Sequence, residues 1–152
     1  MTGDFPGKRC TIRIMPAVTY LQPEVARVGL NEREARARGI DFDVTRYAMA
    51  ESDRAIAERA TTGFVKILTV PGKDRILGAT LVGENAGEWL AELTLAMKHN
   101  IGLNKLLGTI HPYPTLSEAV KGSAGRWKNA HKPERVLGWL ARYFQWRRGT
   151  RR

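Results

Sequence analysis

At 152 residues, with 43% hydrophobic and 26% charged positions, the chain is sized for one domain with its own core and carries no apolar run near the roughly 20 residues that cross a bilayer. One cysteine, Cys10, and three scattered histidines, at 99, 111 and 131, exclude an internal disulfide, a CxxC motif and a zinc module. The net charge of +10 suggests nucleic acid only until it is located: residues 121–152 hold ten Lys/Arg and one acid, leaving +1 for the remainder.

The first 13 residues are polar, with Gly and Pro, and are expected to form a flexible lead-in; MTGDFPGKRCTIRI has no apolar signal-peptide stretch. AVTYL and EVARVGL follow as two short extended pieces, with Pro23 placing a bend or sheet edge between them. Asn31 can cap a short, charged surface helix, NEREARARG, with Glu32 and Glu34 near its positive end and Gly39 as its stop. In DFDVTRYAM, the alternation of Phe42, Val44 and Arg46 predicts a strand, and SDRAIAERA has room for a helical turn or two.

GFVKILTV and DRILGATLVG are β-branched runs joined through Pro71-Gly72-Lys73, the strongest hairpin signal in the chain. From Asn85 the period becomes helical: Ala86, Leu90, Leu93 and Met97, with Trp89 and Ala96, form an apolar stripe ending near Asn100 and Gly102. LNKLLG is expected as a short turn. Thr115 and Glu118 match the capping-box spacing, so a helix should begin near 115 and run to about 129. Pro133 should start a last helix with Val136, Trp139, Leu140, Tyr143 and Phe144 on one face. Strands followed by helices indicate an α+β fold, an antiparallel sheet with helices packed on one face, over residues 14–130, with a basic amphipathic segment at 131–152.

HPYPTLSE is the most informative segment, because two prolines hold Tyr113 extended immediately before a capped helix. It is similar to the carboxy-terminal signature of the pyridine nucleotide–disulfide oxidoreductases, the flavoprotein family of glutathione reductase, lipoamide dehydrogenase and mercuric reductase. MPAVTYLQPEVARVGLNEREAR, GFVKIL and RILGATLVGENAGEWLAELTLAMKHN resemble further parts of that family's dimerisation domain, in the same order, over roughly 14–130. The resemblance implies a homodimer and a larger protein that uses FAD and NAD(P)H. This chain has no GxGxxG turn and no cysteine pair. It is therefore expected to be a carboxy-terminal portion that binds no cofactor and is inactive alone.

In the family, a His-Pro-Thr-x-x-Glu arrangement reaches across the dimer towards the partner's flavin and disulfide, with the His as acid/base and the Glu orienting it. A histidine suits that task because a thiolate leaving group must be protonated near neutral pH. Here Pro114, Thr115 and Glu118 fall on the matching positions, and Tyr113 takes the histidine's slot. With an ordinary pKa of about 10 it is a poor substitute, and it is similar to the mercuric-reductase-like branch. The candidate catalytic residues are thus Tyr113, Glu118 and His111, with Tyr113 and Pro114 facing the flavin. His111 could act as an alternative base or simply be hydrogen-bonded in the loop.

Glu84, Glu88 and Glu92 share a helix face but lack a histidine or fourth ligand, so a solvated face is expected and no metal site. The tail's aromatic stripe, ringed by arginines, fits docking on the domain, contact with an anionic membrane surface, or less well nucleic acid, which is not expected as a partner. A cytoplasmic, at most membrane-peripheral, location is expected. The other reading, from a different class, is a free-standing dimeric interaction module with a basic anchor.

Overall fold

The computed structural model describes residues 14–132, and the expected helix after Pro133 and the lead-in over 1–13 lie outside them. Five strands form one sheet in the order β1-β2-β5-β4-β3: β1 (Ala17–Thr19), β2 (Glu24–Gly29), β3 (Asp43–Ala48), β4 (Phe64–Thr69) and β5 (Ile76–Gly83). Every neighbouring pair is antiparallel. The β4–β5 hairpin lies at the centre of the sheet, as its apolar composition requires, and its turn is closed by Val70 N–H donating to the Arg75 carbonyl at 3.0 Å.

The register sorts the side chains into two faces. Ala26, Leu81 and Val65 stand side by side across β2, β5 and β4, as do Val28, Ala79 and Ile67, and all six are buried. Onto this face pack α3 (Ala86–Lys98) and α5 (Glu118–Ala130), with α4 (Leu103–Gly108) against α5 and the short α2 (Asp53–Ala57) after a 3-10 turn at Met49–Glu51. The predicted stripe of the long helix is the buried one: Ala86, Trp89, Leu90, Leu93 and Ala96 all enter the core. The α+β architecture read from the sequence is the one observed.

The other face carries a smaller cluster. There α1 (Glu32–Ala37) sets fully buried Ala35 against Leu30 and Leu68, so this charged helix has an apolar underside. Its start is a complete capping box: Asn31 Oδ1 accepts the Glu34 N–H at 2.8 Å and Glu34 Oε2 accepts the Asn31 N–H at 3.3 Å.

Three local expectations change. LNKLLG forms α4 because Asp74 supplies its start: its carboxylate accepts from the Asn104 N–H and its carbonyl from the Leu103 N–H. In β3, Val44 and Arg46 are the exposed positions and Thr45 is buried, so the apparent apolar alternation marked the outer face. Finally, α5 begins at Glu118 rather than 115, and only half of a capping box forms. Glu118 Oε2 accepts the Thr115 N–H at 3.4 Å, while the Thr115 hydroxyl donates to the Pro112 carbonyl at 2.9 Å.

The packing of α5 on β3 is close. A Cβ on Gly122 would lie 2.6 Å from the Tyr47 ring, so glycine is what lets the helix approach that far. Tyr47 is held by its hydroxyl on the Glu51 carbonyl at 2.8 Å and by Arg126, whose guanidinium sits over the ring and pairs with Glu51.

Candidate functional site

Residues 109–117 connect α4 to α5, and three helices grip this loop. From α3, Glu92 Oε1 lies 2.8 Å from His111 Nε2, while Nδ1 faces the Thr109 carbonyl at 3.1 Å. The ring thus bridges its own loop to α3. Only 6% of the His111 side chain is exposed. From α2, Asp53 Oδ2 accepts the Tyr113 hydroxyl at 2.7 Å, and Arg54 donates to the Pro114 carbonyl at 3.4 Å. From α5, Glu118 reaches back to the Thr115 N–H. The Tyr113–Pro114 peptide bond is cis.

Clamped in this way, Tyr113 is still 69% exposed and neighbouring Ile110 is 91% exposed. The loop presents these side chains outward instead of folding them into the core. Tyr113 and Glu118 line one hollow of about 310 Å³ together with Tyr47, Asp53 and Lys121. Asp53 raises the Tyr113 pKa above the ordinary tyrosine value: its carboxylate accepts the phenolic proton and its charge repels a phenolate. Near neutral pH this tyrosine is a neutral hydrogen-bond donor.

The candidates therefore separate. Tyr113 of the loop and Glu118 of α5 line one hollow, with Pro114 next to Tyr113 in the chain; His111, two residues before Tyr113, pairs instead with Glu92. No His111–Glu118 pair forms, and the carboxylate that orients the histidine comes from α3. Asp53, Arg54 and Glu92 were not singled out for the loop by sequence. Asp53 lies sixty positions from Tyr113, and Glu92 was read only as part of a solvated carboxylate row. A local motif carries no signal for such contacts.

Among the described residues no strand, glycine-rich turn and helix form the parallel unit in which a dinucleotide pyrophosphate sits, since all strand pairs are antiparallel.

Residues 15–124 match the family model described as "Pyridine nucleotide-disulphide oxidoreductase, dimerisation domain", and the chain belongs to this family. It is 41% identical over 110 residues to the mitochondrial dihydrolipoyl dehydrogenase of Dictyostelium discoideum, covering 72% of this chain and 22% of the relative. It is 34% identical over 132 residues to dihydrolipoyl dehydrogenase of Haemophilus influenzae, covering 82% and 28%. Among solved structures, LpdA from Mycobacterium tuberculosis superposes with a TM-score of 0.74 at 25% identity, over 79% of this chain and 26% of that one. The HOCl-induced flavoprotein disulfide reductase RclA from Escherichia coli gives 0.71 at 27% identity, over 79% and 28%. The chain thus spans about a quarter of the length of these relatives. Their names do not speak for the mercuric-reductase-like branch suggested by Tyr113.

Proposed function

We propose that this chain is the dimerising and active-site-closing part of a flavin-dependent NAD(P)H oxidoreductase, with FAD and the nicotinamide held by parts of the enzyme outside these residues. The observation that carries the reading is the outward loop at 109–117, fixed by α2, α3 and α5 with Tyr113 exposed; in this reading Tyr113 and Pro114 face a neighbouring subunit. A homodimer follows from the same reading, because a loop that closes another subunit's site works only in a pair. The comparisons favour this over a free-standing interaction module.

Tyr113 closes the site sterically and donates a hydrogen bond. With its proton held on Asp53, it is unsuited to exchange protons with a thiol at neutral pH. The dihydrolipoyl dehydrogenases among the relatives support a dithiol or disulfide substrate class, whereas the tyrosine in the histidine's slot argues for a substrate that needs no imidazole from this loop.

The test is to incubate the purified chain with FAD and NAD(P)H, remove free cofactor by gel filtration and record the flavin absorbance and NAD(P)H oxidation. Neither retained flavin nor turnover is expected. A yellow chain that oxidises NAD(P)H overturns the division of labour proposed here.

A further inference from the structure

The end of α5 is tied to the rest of the domain through one residue. Pro133 cannot continue a helix and disfavours helical backbone just before it, and α5 ends at Ala130 with His131 as its C-cap. The His131 ring stacks on Trp127, one turn back, with centroids 4.4 Å apart and planes 18° from parallel. Its Nδ1 lies 2.9 Å from the Trp127 carbonyl, and its Nε2 lies 3.2 Å from Asp43 Oδ2 at the start of β3. That same oxygen accepts the Gly72 N–H at 2.8 Å, from the turn between β4 and β5. One imidazole thus links the end of α5 to the sheet's edge strand and, through Asp43, to the turn of its central hairpin.

Both ring nitrogens face acceptors. A neutral imidazole has one N–H and can donate to only one of them, whereas the imidazolium donates to both. Three further features favour the charged ring: the unpaired carbonyls of a helix C-terminus, the Asp43 carboxylate, and the electron-rich indole face of Trp127. The other charged residues along these elements are Lys128 and Lys132 on and after α5, Asp41 before β3, and Lys73 and Asp74 in the turn. None of them forms an ion pair with His131 or Asp43 among the described residues. The two lysines oppose the charged ring, and Lys73 and Asp74 offset each other.

We propose that His131 is a proton-dependent clasp: charged, it fastens the end of α5 to β3 and the hairpin turn, and neutral, it releases one of its two ties. Imidazole is the side chain whose charge ordinarily changes between about pH 5 and 8. The clasp is therefore made at the acid end of that range and loosened as pH rises through it. It sets the point from which residues 133–152, with six arginines and one glutamate, continue. His131 lies beyond residues 15–124, the stretch shared with the family, so the clasp does not rest on the flavoenzyme reading.

Hydrogen exchange of the full chain, followed amide by amide by NMR at about pH 5 and pH 8, tests this. Protection factors remove the intrinsic pH dependence of exchange. For the last turn of α5 they should fall about threefold or more from the lower to the higher pH, the size of one lost hydrogen bond, while those of α3 stay level. In His131→Gln the drop should vanish. In Asp43→Asn, protection at the lower pH should sit near the wild-type value at the higher one. Level protection in the wild type overturns the clasp, and so does a drop that persists in H131Q. Should circular dichroism show that H131Q does not fold, the wild-type titration decides: the Trp127 indole resonance must move with the same midpoint as the His131 ring, and an indole signal that stays fixed overturns the proposal.

Discussion

The Tyr113–Asp53 hydrogen bond is a single contact with a measurable consequence. Because Asp53 stabilises the protonated phenol, the folded-state pKa lies above the unfolded value, and the contact's contribution is present below about pH 10 and lost as pH rises through the folded pKa. Asp53→Ala removes both acceptor and charge, so Tyr113 should titrate at lower pH; Asp53→Asn, which keeps an acceptor, should lower it less. An ultraviolet titration, with Tyr113→Phe as the blank for the other tyrosines, reads the shift, and an unmoved curve contradicts the assignment. His111 shows the limits of local sequence reading. HPYP identified a stiff loop, but which way the imidazole turns depends on Glu92, nineteen positions away on α3.

At the scale of elements, signals contained within one element were legible. The capping box at Asn31 is complete because both partners lie three residues apart. Asn31→Ala should cost about 1 kcal/mol in denaturant unfolding. The apolar stripe of α3 was also legible, since a 3.6-residue period places those side chains on one face. Leu93→Ala, at a fully buried position, should cost about 2–5 kcal/mol. Where the partner is distant, reading failed. The start of α4 is supplied by Asp74, about thirty positions away, so LNKLLG looks like a turn. At 115–118 the spacing was right, but the Thr115 hydroxyl found the Pro112 carbonyl first, and the helix starts three residues later.

Across the whole molecule, three carboxylates tie elements together, and each has a lowered pKa. Asp43, at the start of β3, accepts the Gly72 N–H from the hairpin turn and faces His131 at the end of α5. Glu32 is lowered by Lys66 of β4, and Glu34 by Arg27 of β2. Folded pKa values below the unfolded ones mean that these contributions are present above about pH 4 and lost as pH falls through the folded values. Stability should therefore decline on acidification below pH 4, and Asp43→Asn should flatten that decline in acid-dependent unfolding monitored by circular dichroism. A variant with an unchanged acid slope would show that Asp43 does not couple β3, the hairpin turn and α5.

The sequence by itself determined the class of fold, the hairpin, the buried face of α3, the family and the position of Tyr113 in the slot before Pro-Thr-x-x-Glu. All of these are carried by periodicity, turn chemistry or short fixed spacings, which act within a few residues. Only the tertiary structure decided that His111 serves α3, that Tyr113 rests on Asp53, and that α1 covers the sheet's second face. Those outcomes depend on which elements meet, and hydrogen bonds and packing between residues far apart in the chain leave no local pattern from which to read them.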